Sequence, residues 1–339
     1  MIVGKRVMTQ NIIDNLTPVS GVGVSNGYTA FCVTPTGKIL MGGYASWLYM
    51  SNDNGVTWTD SSKVISSSAF CVTPTRRIIA GTVDNGIYYS DNDGETWTKV
   101  NGTDNINITC LCITNTGRII AGTTANGMYY SDDNGETWAQ LSWLSTTDCI
   151  RFLYVMSTGR IITSSNNNGV YSSNDNGETW TQISDLINVD ATSLCVTQTG
   201  RLIISTSFHA MYYSDNDGIN WTGLNNAIQN DSISKLHTTS TGRIIGGGNT
   251  NLWYSDDNGE TWTASQLQQA ATSLKTFCTT NTGRLLLAST SNRYANPVYY
   301  SDPVYTMQDA YASKPLTGKQ AKALVQQCKA YVQALKNGN

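Results

Sequence analysis

Residues 131–138 read S-D-D-N-G-E-T-W, and near copies of this stretch recur along the 339-residue chain. The copies begin at Ser51, Ser90, Ser173, Ser214 and Ser255. Neighbouring copies start 39 to 42 residues apart. A fixed interval of this size is typical of propeller blades or solenoid units, which bury their apolar faces only by packing against neighbours. We call these eight-residue stretches the boxes.

Each repeat contains four short apolar or aromatic runs separated by turn residues. In the first repeat three of the runs are residues 30–33, 38–41 and 47–50, and the fourth follows the box at Trp58. Runs of ~5 residues bounded by Gly, Asn and Asp predict β-strands. A turn resembling T-x-T-G joins the first two runs in seven repeats, with Arg76 replacing glycine once. The sequence therefore predicts an all-β fold, a seven-bladed β-propeller of four-stranded antiparallel blades.

The propeller is predicted to span residues 27–306, after an N-terminal arm of residues 1–26. The seventh repeat has no complete box after Ser301. Its fourth strand therefore has two candidates, residues 304–306 and residues 11–17 of the arm, and the sequence does not choose between them. Closure by the arm would tie the two ends of the ring together and remove an exposed strand edge.

Residues 312–337 are predicted to form a C-terminal amphipathic α-helix. Its apolar residues fall at helical spacing: Ala321, Leu324, Val325, Cys328, Tyr331, Val332 and Leu335. Such a helix either folds against its own propeller or serves as an assembly or docking helix. Both interpretations stay open.

The charge content of the chain excludes one class of partner. Charged residues make up 13% of the sequence and the formal net charge is −3, so we expect no nucleic-acid binding. The first residues lack the apolar run of a signal peptide, and no stretch approaches the ~18 apolar residues of a membrane helix. We therefore expect a soluble protein that does not insert into membranes.

Five of the eight cysteines occupy the same place in the repeat: Cys32, Cys71, Cys112, Cys195 and Cys278. Equivalent residues of successive blades do not meet at disulfide distance, and a small buried thiol is a common core residue. We predict that these five are reduced packing residues. The chain contains no C-x-x-C pair, so we expect neither a metal nor another cofactor.

The box resembles the Asp-box, or bacterial neuraminidase repeat, of sialidase-like β-propellers. Six boxes and the remnant of a seventh carry this resemblance over residues 27–306. It implies that each box is a turn between the two outer strands of a blade, with an Asp side chain bonded to backbone and a Trp packed between blades. Two boxes depart from the pattern, with Asn92 and Asn216 at the Asp position. A calcium loop is disfavoured because no bidentate Glu follows.

The resemblance does not extend to the residues that cleave sialosides. That family uses a tyrosine paired with a glutamate, an aspartate acid/base and three arginines that hold the substrate carboxylate. Here all glutamates of the chain lie inside boxes: Glu95, Glu136, Glu178 and Glu260. Seven cations share one repeat position beside the boxes: Lys38, Arg77, Arg118, Arg160, Arg201, Arg243 and Arg284. These cations could bind an anionic partner near the axis or pair with neighbouring box carboxylates, and we expect pairing. We predict no sialidase activity and no catalytic residue.

Functional residues are expected among the non-repeating loop residues on the face opposite the boxes. The candidate ligand-binding residues are Tyr44, Trp47, Arg151, Phe208, His209, Arg293 and Tyr294. Aromatic and arginine side chains suit recognition because they combine large contact area with stacking or planar hydrogen bonding. The same face carries aspartates between blades: Asp60, Asp104, Asp148, Asp190 and Asp231. A glycoside hydrolase would need two such carboxylates ~5 to 9.5 Å apart.

The sequence favours a non-catalytic binding or structural module. A surface rich in Ser, Thr and Asn, near-identical repeats and the lack of a signal peptide look similar to phage virion and tail-fibre proteins, which bind cell-surface glycans or neighbouring virion subunits. We expect a glycan or protein partner, a C-terminal helix available for assembly, and a location in a virion or otherwise in the cytoplasm. Two alternatives stay open: a glycoside hydrolase with paired aspartates, and an intracellular bacterial assembly or scaffold factor.

Overall fold

The computed structural model describes residues 16–19, 22, 27–43, 48–61, 65–141, 149–166, 168–224, 228, 231–265, 274–289 and 298–301. These residues form seven sheets, each with four antiparallel strands. The first strand of each blade contacts the first strand of the next blade, and the last of these strands contacts the first, so the ring is closed around a central axis. The predicted seven-bladed, all-β propeller is confirmed.

Two rows of strands lie nearest the axis. The innermost strands are β2 (Tyr28–Val33), β6 (Ser67–Val72), β10 (Ile108–Ile113), β14 (Ile150–Val155), β18 (Ala191–Val196), β22 (Ile233–Thr238) and β26 (Leu274–Thr279). The second strands are β3 (Ile39–Gly43), β7 (Ile78–Thr82), β11 (Ile119–Thr123), β15 (Ile161–Ser165), β19 (Leu202–Thr206), β23 (Ile244–Gly248) and β27 (Leu285–Ser289). Every residue of the second strands is buried, because both faces of each sheet pack against neighbouring blades.

Two further rows complete the blades. The third strands are β4 (Leu48–Ser51), β8 (Ile87–Ser90), β12 (Met128–Ser131), β16 (Gly169–Ser173), β20 (Met211–Ser214), β24 (Leu252–Ser255) and β28 (Val298–Ser301). The outermost strands are β1 (Thr17–Pro18), β5 (Thr59–Asp60), β9 (Thr98–Lys99), β13 (Ala139–Leu141), β17 (Thr181–Gln182), β21 (Thr222–Gly223) and β25 (Thr263–Ala264). A short 3-10 helix, Ser184–Leu186, lies between the fourth and fifth blades.

The N-terminal arm supplies the outermost strand of the seventh blade. Thr17 pairs with Tyr300 and Pro18 with Tyr299, in an antiparallel register. The next residue, Val19, donates its backbone N–H to the carbonyl of Val298 at 3.0 Å, and its side chain is buried. The strand therefore comes from the arm, but it is Thr17–Pro18, which shares only Thr17 with the predicted residues 11–17. Residues 11–15 and 304–306 lie outside the described residues.

Each box folds as a turn between the third and outermost strands of its blade. In the third blade, Asp133 accepts hydrogen bonds from the backbone N–H groups of Glu136 (3.1 Å) and Thr137 (2.9 Å) and from the hydroxyl of Ser131 (2.8 Å). Burial alone would raise the pKa of Asp133, but these hydrogen bonds outweigh it and hold the pKa below its ordinary value. The indole of Trp138 donates to the carbonyl of Gly135 at 3.1 Å.

The two boxes that carry asparagine keep the same turn. Asn92 accepts from the backbone N–H of Thr96 (2.9 Å), and Asn216 accepts from that of Asn220 (3.0 Å), as the aspartates of the other boxes do. The turn therefore needs an acceptor oxygen at this position and does not need a negative charge.

The boxes also connect blades. The fourth box residue, at φ near +62°, contacts a threonine in the inner turn of the preceding blade. These pairs are Thr36 with Asp93, Thr75 with Asn134, Thr116 with Asn176, Thr158 with Asp217, Thr199 with Asn258, and Thr282 with Asn54. The last pair joins the seventh blade to the first, so the ring is closed at this face as well as at the arm.

Five of the seven repeated cations form ion pairs with box carboxylates in the described part of the chain, as predicted. Arg160 instead donates to the hydroxyl of Ser172 (2.8 Å) and the carbonyl of Gly218 (3.4 Å), and Arg284 donates to the carbonyl of Asn54 (3.1 Å). Arg118 binds Asp132 of its own blade (2.7 Å) and Glu178 of the next blade (2.5 Å), and its guanidinium lies 4.6 Å from the ring centroid of Tyr130. The equivalent ion pairs are Lys38 with Glu95, Arg77 with Asp91 and Glu136, Arg201 with Asp215 and Glu260, and Arg243 with Asp256. All four glutamates of the chain therefore connect neighbouring blades.

The predicted C-terminal helix, residues 312–337, lies outside the described residues. The five repeated cysteines are free thiols on the innermost strands, as predicted. Burial raises the pKa of Cys32 and of Cys195 to about 12, so both thiols stay protonated near neutral pH and serve as small apolar packing groups.

Candidate functional site

The two faces of the ring differ in composition. We call the face that carries the boxes and the inner turns the box face, and the opposite face the loop face. Each innermost strand begins at the loop face and ends at the box face, and the loops between second and third strands lie on the loop face. The repeated cations and carboxylates of the box face pair with each other within and between blades. A binding site is therefore expected on the loop face.

Every innermost strand opens with an irregularity in its pairing at the loop face. The register shifts within the first residues of each strand, for example between Tyr28 and Ala30 in β2. Bulges of this kind redirect a side chain out of the regular pleat. In five blades the bulged residue is Thr or Ser, and its hydroxyl donates to the first carbonyl of the next innermost strand: Thr29, Ser68, Thr109, Thr192 and Ser234.

Arg151 takes the place of this hydroxyl in the fourth blade. Its guanidinium bonds to the side-chain oxygen of Asn166 and forms an ion pair with Asp190, where Nε lies 3.2 Å from Oδ1 and Nη2 lies 3.2 Å from Oδ2. Asp190 precedes β18, so the ion pair links the fourth blade to the fifth. The Arg151 side chain is 34% exposed, so part of it is accessible to a partner.

Phe208 and His209 form the tip of the loop between β19 and β20. The Phe208 side chain is 78% exposed, and His209 has a φ of +65° that turns the chain back toward β20. The backbone N–H of the preceding Ser207 donates to the carbonyl of Asp190, which fixes this loop beside the fourth-to-fifth blade junction. A second apolar side chain of this junction, Ile187, is 51% exposed.

Three interblade aspartates of the loop face, Asp104, Asp190 and Asp231, have structural partners. Asp231 accepts from the backbone N–H groups of Asn249 (2.8 Å) and Asn251 (3.1 Å) and from the indole of Trp253 (2.8 Å). Asp104 pairs with Lys99, and this hydrogen bond lowers the pKa of the carboxyl. Asp60 lies exposed on β5. A carboxylate bound in this way is held for structure, as Asp190 is.

Several predicted residues fall outside the described part of the chain. They are Tyr44, Trp47, Arg293 and Tyr294 among the binding candidates, and Asp148 among the aspartates. Arg151 pairs with the carboxylate of Asp190, and the loop that carries Phe208 and His209 is bonded to the backbone carbonyl of the same Asp190, a link that the sequence did not predict.

Sequence reasoning missed Ile187, Lys235 and Lys275. Lys275 is the bulged residue of β26, and Lys235 directly follows the bulge of β22. Alignment of the repeats would have revealed both lysines, since they stand where other blades have hydroxyl or small side chains. Burial is the first cause that lowers the pKa of Lys235, and the positive charges of Lys275 and Arg151 lower it further, against the opposite effect of Cys110.

Neither a metal cluster nor a membrane segment is found among the described residues. No three His, Cys, Asp or Glu side chains in this part of the chain lie together as a metal site would require. None of the helices in the described ranges has the length and apolar character of a membrane span.

Comparisons with known proteins agree with the propeller architecture. The sequence matches the profile of the DUF6242 β-propeller domain over residues 151–300, and that of the Sortilin-Vps10 family (sortilin, neurotensin receptor 3) over residues 85–189. No curated protein matches the sequence. The match to a β-propeller domain over residues 151–300 agrees with the propeller that the structure shows.

Several solved structures share the fold at low sequence identity. YCF48 bound to D1 peptide is 13% identical with a TM-score of 0.69, and the match covers 86% of this chain and 97% of that one. Virginiamycin B lyase from Staphylococcus aureus is 12% identical with a TM-score of 0.64, covering 86% and 99%. PorZ, a surface component of the type-IX secretion system of Porphyromonas gingivalis, is 12% identical with a TM-score of 0.64, covering 84% and 48%. These similarities define the class, a seven-bladed β-propeller.

Proposed function

We propose that this chain is a non-catalytic binding or structural propeller whose partner docks on the loop face. The observation that carries the proposal is the exposure of Phe208, a large aromatic side chain held in solvent at 78% exposure by a backbone-anchored loop. Exposed aromatic side chains of this kind are common at the centre of recognition surfaces. Ile187 and the Arg151 guanidinium belong to the same blade junction and extend the surface.

The proposed setting is a phage virion or tail fibre that contacts cell-surface glycans or neighbouring virion subunits. We infer that the boxes are of the Asp-box type, because each supplies a capped turn and a tryptophan, as that resemblance implies. The four glutamates hold blades together, which supports a role in structure over one in catalysis. Of the candidate partners, a glycan suits an aromatic side chain that offers its ring face to a sugar.

A glycan array, combined with an assay for release of reducing ends, tests this proposal. We expect binding without turnover by the wild type, and loss of binding in Phe208→Ala. Ile219→Ala is the matched control, since Ile219 is an exposed apolar residue (58%) of a box. Glycan turnover abolished by Asp190→Asn would support the paired-aspartate hydrolase and overturn the proposal. Copurification of a virion subunit without any glycan signal would assign the loop face to assembly.

A further inference from the structure

Three cations lie at the loop-face end of the central channel, and we call them the axial cation cluster: Arg151, Lys235 and Lys275. Arg151 and Lys275 occupy the bulge position at the start of β14 and β26. Lys235 follows the bulge of β22. In the five blades other than the fourth and the seventh, including the sixth blade that carries Lys235, the bulged residue is Thr or Ser, and its hydroxyl bridges to the next blade. The cluster thus replaces neutral groups with positive charges at the same height along the axis.

Lys235 interacts electrostatically with groups on other blades. Its charge is felt by Cys110 of the third blade and Arg151 of the fourth, as well as by Lys275 of the seventh. Lys235 belongs to the sixth blade, which adjoins only the fifth and the seventh. The interactions of Lys235 with the third and fourth blades therefore reach across the ring.

The cluster carries more positive than negative charge. Asp190 is the carboxylate that contacts it, through the ion pair with Arg151. In the described part of the chain, neither Lys235 nor Lys275 forms a hydrogen bond or an ion pair with a carboxylate. Among the described residues, the other ionisable groups that interact with Lys235 or Arg151 are the thiols of Cys110 and Cys149, and burial raises the pKa of both. Three cations and one carboxylate leave about two positive charges in a partly desolvated channel, where unbalanced charge is costly.

We propose that the loop-face mouth of the central channel binds a doubly charged tetrahedral oxyanion, a phosphate or a sulfate, between Lys235 and Lys275 with Arg151 as the third positive group. Lysine ammonium groups act as point charges with three rotatable donors, which suits a tetrahedral oxyanion approached from several sides. A dianion also matches the two uncompensated charges. This inference goes beyond the proposed function, because a small anion would bind here whatever partner covers the loop face.

Isothermal titration calorimetry at pH 7 and low ionic strength tests the site with inorganic phosphate and inorganic sulfate. We expect saturable binding at one site per chain, weakened at least about tenfold in Lys235→Met and in Lys275→Gln. The matched control is Lys99→Gln, a lysine of β9 that pairs with Asp104 away from the axis. Unchanged affinity in folded Lys275→Gln, or no binding by the wild type, would overturn the proposal. The Lys275 variant stands in if Lys235→Met does not fold.

A second arm distinguishes the source of the oxyanion. Glucose 6-phosphate and a 6-sulfated sugar are titrated beside the free ions. Tighter binding of an ester identifies a charged glycan as the ligand, and tighter binding of the free ion identifies phosphate or sulfate itself. Because the pKa of Lys235 is lowered, affinity is expected to fall on raising the pH before an ordinary lysine would lose its charge. Affinity that stays constant until ordinary lysine titrates would contradict the role given to Lys235.

Discussion

At the scale of single residues, one repeat position shows how the same backbone accepts different chemistry. Five blades have cysteine at this position of the innermost strand. The sixth blade has His237, whose ring stacks on that of Phe277 and whose Nε2 lies 2.6 Å from the hydroxyl of Thr279. Burial lowers the pKa of His237 to about 4. The folded protein therefore holds this imidazole neutral over a range in which the unfolded chain would protonate it.

The pH dependence of stability follows from that difference. His237 has a folded pKa below its unfolded value, so its contribution is complete above about pH 6.5 and is lost as the pH falls toward 4. We expect unfolding free energy to decrease by up to about 3 kcal/mol over this window. In His237→Cys, which installs the residue of five other blades, this decrease should be absent. Urea titrations between pH 4 and pH 7 measure it.

The box aspartates provide an internal control for this experiment. The pKa of Asp133 lies below its ordinary value of 3.8, so its stabilising effect is lost only at lower pH than the His237 window. An equally steep decrease between pH 6.5 and 4 in His237→Cys would show that another group is responsible.

At the scale of strands and turns, the blades depend on a few close backbone approaches. Gly86, between β7 and β8, has a φ of +76°, and a Cβ atom there would lie 1.9 Å from the carbonyl oxygen of Thr103 in the connection to the next blade. Gly200, in an inner turn, has a φ of +88° with nothing within 4 Å of such a Cβ. Arg76 holds the equivalent position of the second blade at a φ of +74°.

These two glycines separate backbone strain from steric overlap. Gly200→Ala is expected to cost about 1 to 2 kcal/mol, the penalty of a left-handed conformation for a residue with Cβ. Gly86→Ala should cost about 1 to 3 kcal/mol more, since the carbonyl of Thr103 belongs to the backbone and must move. Chemical denaturation of both variants measures the difference. Equal losses would mean that the turn at Gly86 adjusts freely.

At the scale of the whole molecule, stability depends on closing the ring. The arm pairs with β28 and buries Val19, while Thr282 bonds Asn54 at the box face. These contacts join segments more than 200 residues apart, so the first and seventh blades protect each other's edges. An open ring would expose the apolar faces of both blades.

Val19→Asp tests this closure. A carboxylate placed where the side chain is 1% exposed has no described cationic neighbour on β1 or β28, and we expect a loss of at least about 3 kcal/mol. The matched control is Val56→Asp, at a box position that is 36% exposed and holds Glu in four other boxes; it should change stability by less than about 0.5 kcal/mol. Thermal melting compares the two. Similar melting temperatures would show that the arm adds little to closure.

The sequence by itself determined the repeat, the seven blades, the box turns and the reduced cysteines, because turn residues, strand patterning and a fixed period are local properties. Only the tertiary structure selected the arm over residues 304–306, since that choice compares two distant segments competing for the edge of β28. It also placed Arg151, Lys235 and Lys275 at the loop-face ends of innermost strands that surround one axis. Their positions in the repeat are readable, but their proximity across the axis depends on the closure of the ring.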